Sequence, residues 1–172
     1  IGGEVDAILE MSGLAVGFLT PAFPEMDRTV KDGILMVKGN PVAETEASRD
    51  PACPVQESNL VNLLRRQSSG GIDLVDHRRL SSASGSLRQA VYRKRQAGTK
   101  ILIFDALKRQ DLESIAEAGF ELQPLPLFIG SAGLAEAVAS RFAEKTGLAP
   151  AAPSATRSTA HALVPGSPSD MV

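Results

Sequence analysis

A chain of 172 residues with 43% apolar and 22% charged side chains has the make-up of a soluble globular domain, not of a disordered or fibrous protein. Lys and Arg number 18 against 20 Asp and Glu, a formal charge of −2, which removes the basic surface that phosphate-led nucleic-acid binding needs. No apolar run reaches the roughly 20 residues of a membrane helix, and the single cysteine, Cys53, allows no internal disulfide.

The chain opens at Ile1 instead of Met, so the expectation is a processed or incomplete piece with no visible signal peptide. Glu4 to Met11 then carries Val5, Ile8 and Leu9 at helical spacing, and Ser12-Gly13 is its stop. Leu14 to Thr20 is an apolar run that predicts a buried strand, ended by Pro21 and Pro24. Ile34 to Val37 predicts a short strand, Lys38-Gly39-Asn40-Pro41 a turn, and Val42 the start of a return strand. Thr45 to Val55 is polar and carries Pro51 and Pro54, so it reads as an ordered loop or lid. A helix capped by Ser58 follows to Gln67, with Leu60, Val61, Leu63 and Leu64 as its stripe.

Ile72 to Val75 predicts the next strand, and Ser86 to Gln96 a helix with Leu87, Val91 and Tyr92 turned inward. Lys100 to Phe104 is a strong apolar strand ending at Asp105. Gln110 to Ala118 predicts a helix stopped by Gly119, Leu125 to Ile129 the last strand, and Leu134 to Thr146 the last helix. Alternating strands and helices, with strands that are apolar throughout, specify an α/β fold: a mostly parallel sheet with covering helices and one inserted β-hairpin. Residues 1–148 form the packed part. Residues 149–172, rich in Ala, Pro and Ser, read as a linker or disordered tail.

Five features could carry chemistry. Gly130-Ser131-Ala132-Gly133 joins a strand to a helix, where free backbone N–H groups favour an anion and strand carboxyl ends hold ligands. No Lys follows it, so it is not a phosphate loop, and a simple tight turn explains it equally well. Pro21 to Thr29 is a stiff connection in which Arg28 could grip a carboxylate or phosphate, or merely be solvated. Asp105 lies at a strand end, suited to a substrate hydroxyl or to capping a turn. The carboxylates of Glu44, Glu46 and Asp50 have no fixed geometry. Cys53 with His77 could form a nucleophilic pair, although a loop thiol and a surface imidazole are the simpler reading. His77 and His161 have no ligand-spaced companions, so no metal site is expected. Arg93-Lys94-Arg95 reads as a solvated helix face.

Taken in order, Pro21-Ala22-Phe23-Pro24, Arg28-Thr29, Gly33, Gly39-Asn40-Pro41-Val42, Glu44-Thr45-Glu46, Arg49-Asp50-Pro51 and Phe128-Ile129-Gly130-Ser131-Ala132-Gly133-Leu134 resemble the four-carbon acid sugar kinase family, within its N-terminal substrate-binding domain. The resemblance implies a cytoplasmic, ATP-dependent transfer of phosphate to threonate, erythronate or 3-oxo-tetronate. It implies that Gly130, Ser131, Ala132 and Gly133 lie near the ligand anion, with Arg28 and Asp105 in support. No residue is assigned a catalytic role. The family's Asp-Asp motif and Lys-x-Asp-Ser-Thr-Leu-Arg-Gly-Asn segment are absent, Met26-Asp27 replaces its usual Asn-Gly, and the first strands of the domain are expected to be missing. ATP with Mg2+ belongs to a separate C-terminal domain, so this stretch is expected neither to bind nucleotide nor to act as a kinase alone. A stand-alone α/β module that binds a small anion or nucleotide without catalysis is the other reading.

Overall fold

The fold is described by a computed structural model over residues 1–80 and 84–147, the side chains of 84–86 excepted. The tail read from residue 149 onward lies outside the described residues. In chain order the elements are α1 (Gly2–Ser12), β1 (Gly17–Thr20), β2 (Arg28–Lys31), β3 (Ile34–Val37), β4 (Asn40–Pro41), α2 (Leu60–Arg65), β5 (Gly71–Val75), α3 (His77–Leu80), α4 (Ser84–Gln96), β6 (Thr99–Phe104), α5 (Arg109–Phe120), β7 (Leu127–Gly130) and α6 (Ala132–Thr146).

Four strands form one parallel sheet in the order β5-β6-β1-β7. β1 is central because Gly17 to Thr20 pairs on both sides, with Ile101 to Ile103 and with Leu127 to Gly130. Its alternation assigns the two faces. The Phe18 ring lies 4.6 Å from Phe104 and 6.0 Å from Phe128, and Phe128 in turn meets Phe120 of α5. Gly17 points the other way, where an added Cβ would lie 3.7 Å from Val5 of α1. Helices therefore cover both faces, and Phe18, Ile101, Leu102, Ile103 and Phe104 are essentially inaccessible.

The inserted hairpin proves to be a three-stranded antiparallel sheet, β2-β3-β4. Both of its turns place two successive residues at positive φ: Asp32 (51°) with Gly33 (76°), and Lys38 (50°) with Gly39 (81°). That is the handedness that lets a two-residue turn follow the twist of its strands. The return strand is Asn40–Pro41; Val42 instead begins one turn of 3-10 helix. Val30 and Ala106 exchange backbone hydrogen bonds at 3.0 and 2.9 Å, which fastens the small sheet to the end of β6.

Other boundaries move for identifiable reasons. Leu14 to Val16 is not strand, since β1 begins only where partners exist on both sides. In α1, Val5 and Leu9 are buried but Ile8 is 47% exposed. Asn59, not Ser58, caps α2 by accepting from Asn62 N, while the Ser58 hydroxyl accepts from Ala43 N. In α4 the inward residues are Leu87, Ala90 and Val91, and Tyr92 faces outward. Gly119 does not stop α5; the helix runs to Phe120 because Gly119 is where the Phe128 ring rests, a place with no room for a Cβ.

Candidate functional site

The carboxyl ends of β1 and β7 meet side by side, Thr20 opposite Gly130. A Cβ on Gly130 would overlap the Thr20 carbonyl oxygen and come within 2.8 Å of Leu134 Cδ2, so only glycine allows this approach. Ser131 then caps α6. Its hydroxyl accepts from Leu134 N at 3.4 Å and donates a short hydrogen bond to the Ala22 carbonyl. Both capacities of that hydroxyl are engaged, and what the junction offers a ligand is backbone: the first N–H groups of α6, which a helix cannot satisfy internally. Gly130 and Ala132 are exposed there, and Ser131 is half-buried.

Phe23 joins this junction to the segment bearing Arg28. The backbones of Phe23 and Arg28 exchange hydrogen bonds, 2.7 Å from Phe23 N and 3.2 Å from Arg28 N. The Phe23 ring lies where Gly133 leaves space: a Cβ there would be 2.8 Å from Phe23 Cδ2 and 3.1 Å from Leu112 Cδ1. The two sequence blocks, more than 100 residues apart, thus meet through one aromatic ring. The Arg28 side chain is exposed and makes no ion pair among the described residues.

Asp105 sits differently. It is wholly buried, and its carboxylate accepts from Gly33 N (2.8 Å), Asp32 N (2.9 Å) and His77 N (3.2 Å). These three backbone donors make it the anchor of the β2–β3 turn and of the start of α3. His77 Nδ1 also lies 3.5 Å from Asp105 Oδ2. One ligand atom each from Asp32, His77 and Asp105 lies within 4.8 Å of the others, a grouping able to hold a metal ion. Cys53 is exposed, whereas His77 turns to Asp105.

One residue that sequence reasoning passed over is Arg109. It reaches Glu25 and Glu113 at 3.3 Å and Glu136 at 3.6 Å, tying the Pro24–Met26 turn to α5 and α6 beside the junction. The hydrogen bonds it donates to the carboxylates of Glu25 and then Glu113 hold its guanidinium even more firmly protonated than usual. Nothing local in the sequence pairs it with Glu25, 84 positions away. The sole helix-spacing hint is Glu113 four residues on.

A cavity of about 490 Å³ adjoins Gly130 and Ser131 on the outer side of β7. Its other walls are apolar, with Phe120, Leu125, Phe128, Val138 and Phe142 among them. That is the wrong lining for a hydroxylated carboxylate. The polar opportunity lies instead at the strand ends and the first turn of α6.

With this geometry in place, residues 1–138 match the family model described as a sugar-binding N-terminal domain. The chain belongs to that family. Its curated relatives include a 3-oxo-tetronate kinase of Burkholderia multivorans, 32% identical over 149 residues, covering 87% of this chain and 34% of that protein. A D-threonate kinase of Salmonella typhimurium is 33% identical over 141 residues, covering 80% of this chain and 32% of its own. Among solved structures, a Haemophilus influenzae protein superposes with a TM-score of 0.75 at 26% identity, covering 81% of this chain and 33% of its own. A Bordetella bronchiseptica domain with bound citrate gives 0.66 at 31% identity, covering 83% and 33%. This sugar-binding domain chain therefore spans about a third of the length of the relatives it matches. Among the described residues no helix is long and apolar enough to cross a membrane.

Proposed function

We propose that this chain supplies the sugar-acid half-site of an ATP-dependent kinase for four-carbon acid sugars of the threonate, erythronate or 3-oxo-tetronate type. The observation that carries the reading is the junction of β1 and β7. There Gly130 and Ser131 clamp two strand ends together, and the first N–H groups of α6 open beside them. A carboxylate accepts hydrogen bonds from such groups and is favoured by the helix dipole. Arg28, brought to the same region through Phe23, has a guanidinium free to add a bidentate contact. The names of the relatives and the citrate held by the Bordetella domain agree with a small polyhydroxy or polycarboxylic acid.

Phosphoryl transfer relies on positioning and charge neutralisation, and ATP with Mg2+ is the co-substrate of this reading. A C-terminal nucleotide-binding domain would supply their site, and the chain by itself would bind the acid without transferring phosphate. The test is titration calorimetry of the chain with D-threonate, D-erythronate and 3-oxo-tetronate, repeated on Arg28→Ala. Binding of one acid, weakened about tenfold or more in the variant, supports the reading. Saturable binding of ATP but of no acid would replace it with a nucleotide-binding module.

A further inference from the structure

Arg28 stands at the neck of a short loop. Its backbone pairs with Phe23 across that neck, and the loop between them holds the Pro24–Met26 turn and Asp27, which takes a φ of 53°. The small sheet is tied to β6 toward the other end of β2, at Val30 and at the turn that Asp105 anchors. At the Arg28 end the loop has one ion pair among the described residues, Glu25 with Arg109 at 3.3 Å. Arg109 opens α5, and its guanidinium also meets Glu113 of α5 at 3.3 Å and Glu136 of α6 at 3.6 Å. All four side chains are half exposed, and a single exposed pair is worth little. A network that draws carboxylates from three segments onto one guanidinium is the arrangement in which exposed charges do count.

We infer that Arg109 is a positioning residue for the sugar acid: through Glu25 it sets the loop from which Arg28 reaches the ligand carboxylate at the first turn of α6. The inference rests on the sugar-acid reading of the β1–β7 junction. A guanidinium holds a carboxylate in a fixed orientation, so Arg109 fixes where Glu25 stands, and the loop neck carries that placement to Arg28. Arg28 in turn needs accurate placement, because a bidentate grip on a carboxylate tolerates little displacement. Plain charge makes the opposite forecast for Glu25. Removing a carboxylate beside an anion site helps the anion, whereas removing the tether weakens the grip of Arg28 on it.

The test is titration calorimetry of the chain with whichever of D-threonate, D-erythronate and 3-oxo-tetronate it binds, each variant being checked for folding by circular dichroism. Arg109→Gln should weaken binding about fivefold and Glu25→Gln about threefold, with Arg109→Lys recovering part of the loss. The Glu25→Gln, Arg109→Gln double variant should bind no more weakly than Arg109→Gln alone. In an Arg28→Ala background Arg109→Gln should change affinity by less than about 1.5-fold, since the residue it acts through is gone. Arg141 supplies the control: it ties α6 to Glu117 of α5 at 2.9 Å without reaching the loop, so Arg141→Gln should leave affinity unchanged. Should Arg109→Gln fail to fold, Glu25→Gln asks the same question from the other side of the pair. Tighter binding by Glu25→Gln overturns the inference in favour of plain repulsion. An equal loss from Arg109→Gln with and without Arg28 overturns it in favour of a purely structural role. If the unaltered chain binds none of the three acids, the sugar-acid reading falls and this inference with it. If the chain binds an acid and Arg109→Gln binds it as tightly, this inference alone falls.

Discussion

Replacing Gly130 by Ala isolates the contact on which the β1–β7 junction depends. Gly130 is not at positive φ, so alanine brings no backbone strain of its own. Its Cβ would instead overlap the Thr20 carbonyl oxygen and stand 2.8 Å from Leu134 Cδ2, closer than the 3.0 Å below which real Cβ contacts are essentially unknown. The leucine methyl can rotate away, but the carbonyl belongs to the central strand and is fixed by the sheet. Inserting a carbon into a packed site costs about 1–3 kcal/mol, and an immovable backbone neighbour puts this case at about 3. For a chain of this size that lowers Tm by roughly 6–12 °C. Gly13→Ala is the control: nothing lies within 4 Å of its added Cβ, but its φ of 67° makes alanine strained by about 1–2 kcal/mol. Thermal and urea melts of both variants, followed by circular dichroism, measure the difference. If Gly130→Ala melts no lower than Gly13→Ala, the close approach of β7 to Thr20 is not a determinant of the fold. The same variant should also abolish binding of the acid, since the strand ends must separate.

Ser131→Ala should destabilise by about 1–2 kcal/mol in urea melts, from the lost N-cap and an Ala22 carbonyl left without its donor, and Ser131→Thr should recover part of it. Asp105→Asn should cost about 3 kcal/mol by the same measurement, because one amide oxygen cannot serve three backbone donors, of which that of Gly33 is buried and the other two partly so. Gly133→Ala should be milder than Gly130→Ala, about 1–2 kcal/mol, since its obstacles are the Phe23 ring and a Leu112 methyl. Asp6 gives a pH signature. The Ser68 hydroxyl, then Ser69, hold its carboxyl below its usual 3.8. A depressed folded value means the contribution is fully present above 3.8 and disappears as pH falls through the folded pKa. The stability gap between wild type and Asp6→Asn should therefore be constant at neutral pH and close on acidification below about pH 4.

Much of the parallel sheet was legible because Ile101 to Phe104 and Phe128-Ile129 are apolar on both faces, as strands between two helical layers must be. β2 was not, since Arg28-Thr29-Val30-Lys31 has a single buried residue, Val30. Its signal was the Asp32-Gly33 pair, a hairpin turn as clear as Lys38-Gly39, but with no apolar alternation before it. Gly119 looked like a helix stop because local sequence does not reveal that Phe128 will rest against it. In the site, Gly130 and Ser131 were visible as a strand-to-helix junction, whereas Asp105 could be read two ways, as a ligand contact or as the cap of a turn. A carboxylate at a strand end suggests a ligand, and its partners at Asp32 and Gly33 are set by tertiary structure alone.

The tie between Asp105 and the β2–β3 turn also orders events in time. The two small turns of β2-β3-β4 are local and can close as soon as their own residues exist. Their fastening cannot, because Gly33 and the carboxylate that holds it are 72 positions apart. On a ribosome adding roughly 5–20 residues per second, the turn waits about 4–14 seconds for its anchor to be synthesised. Through that interval the small sheet has strands but no fixed place. Asp105 serves the nascent chain as a latch, closing only after β6 has been made.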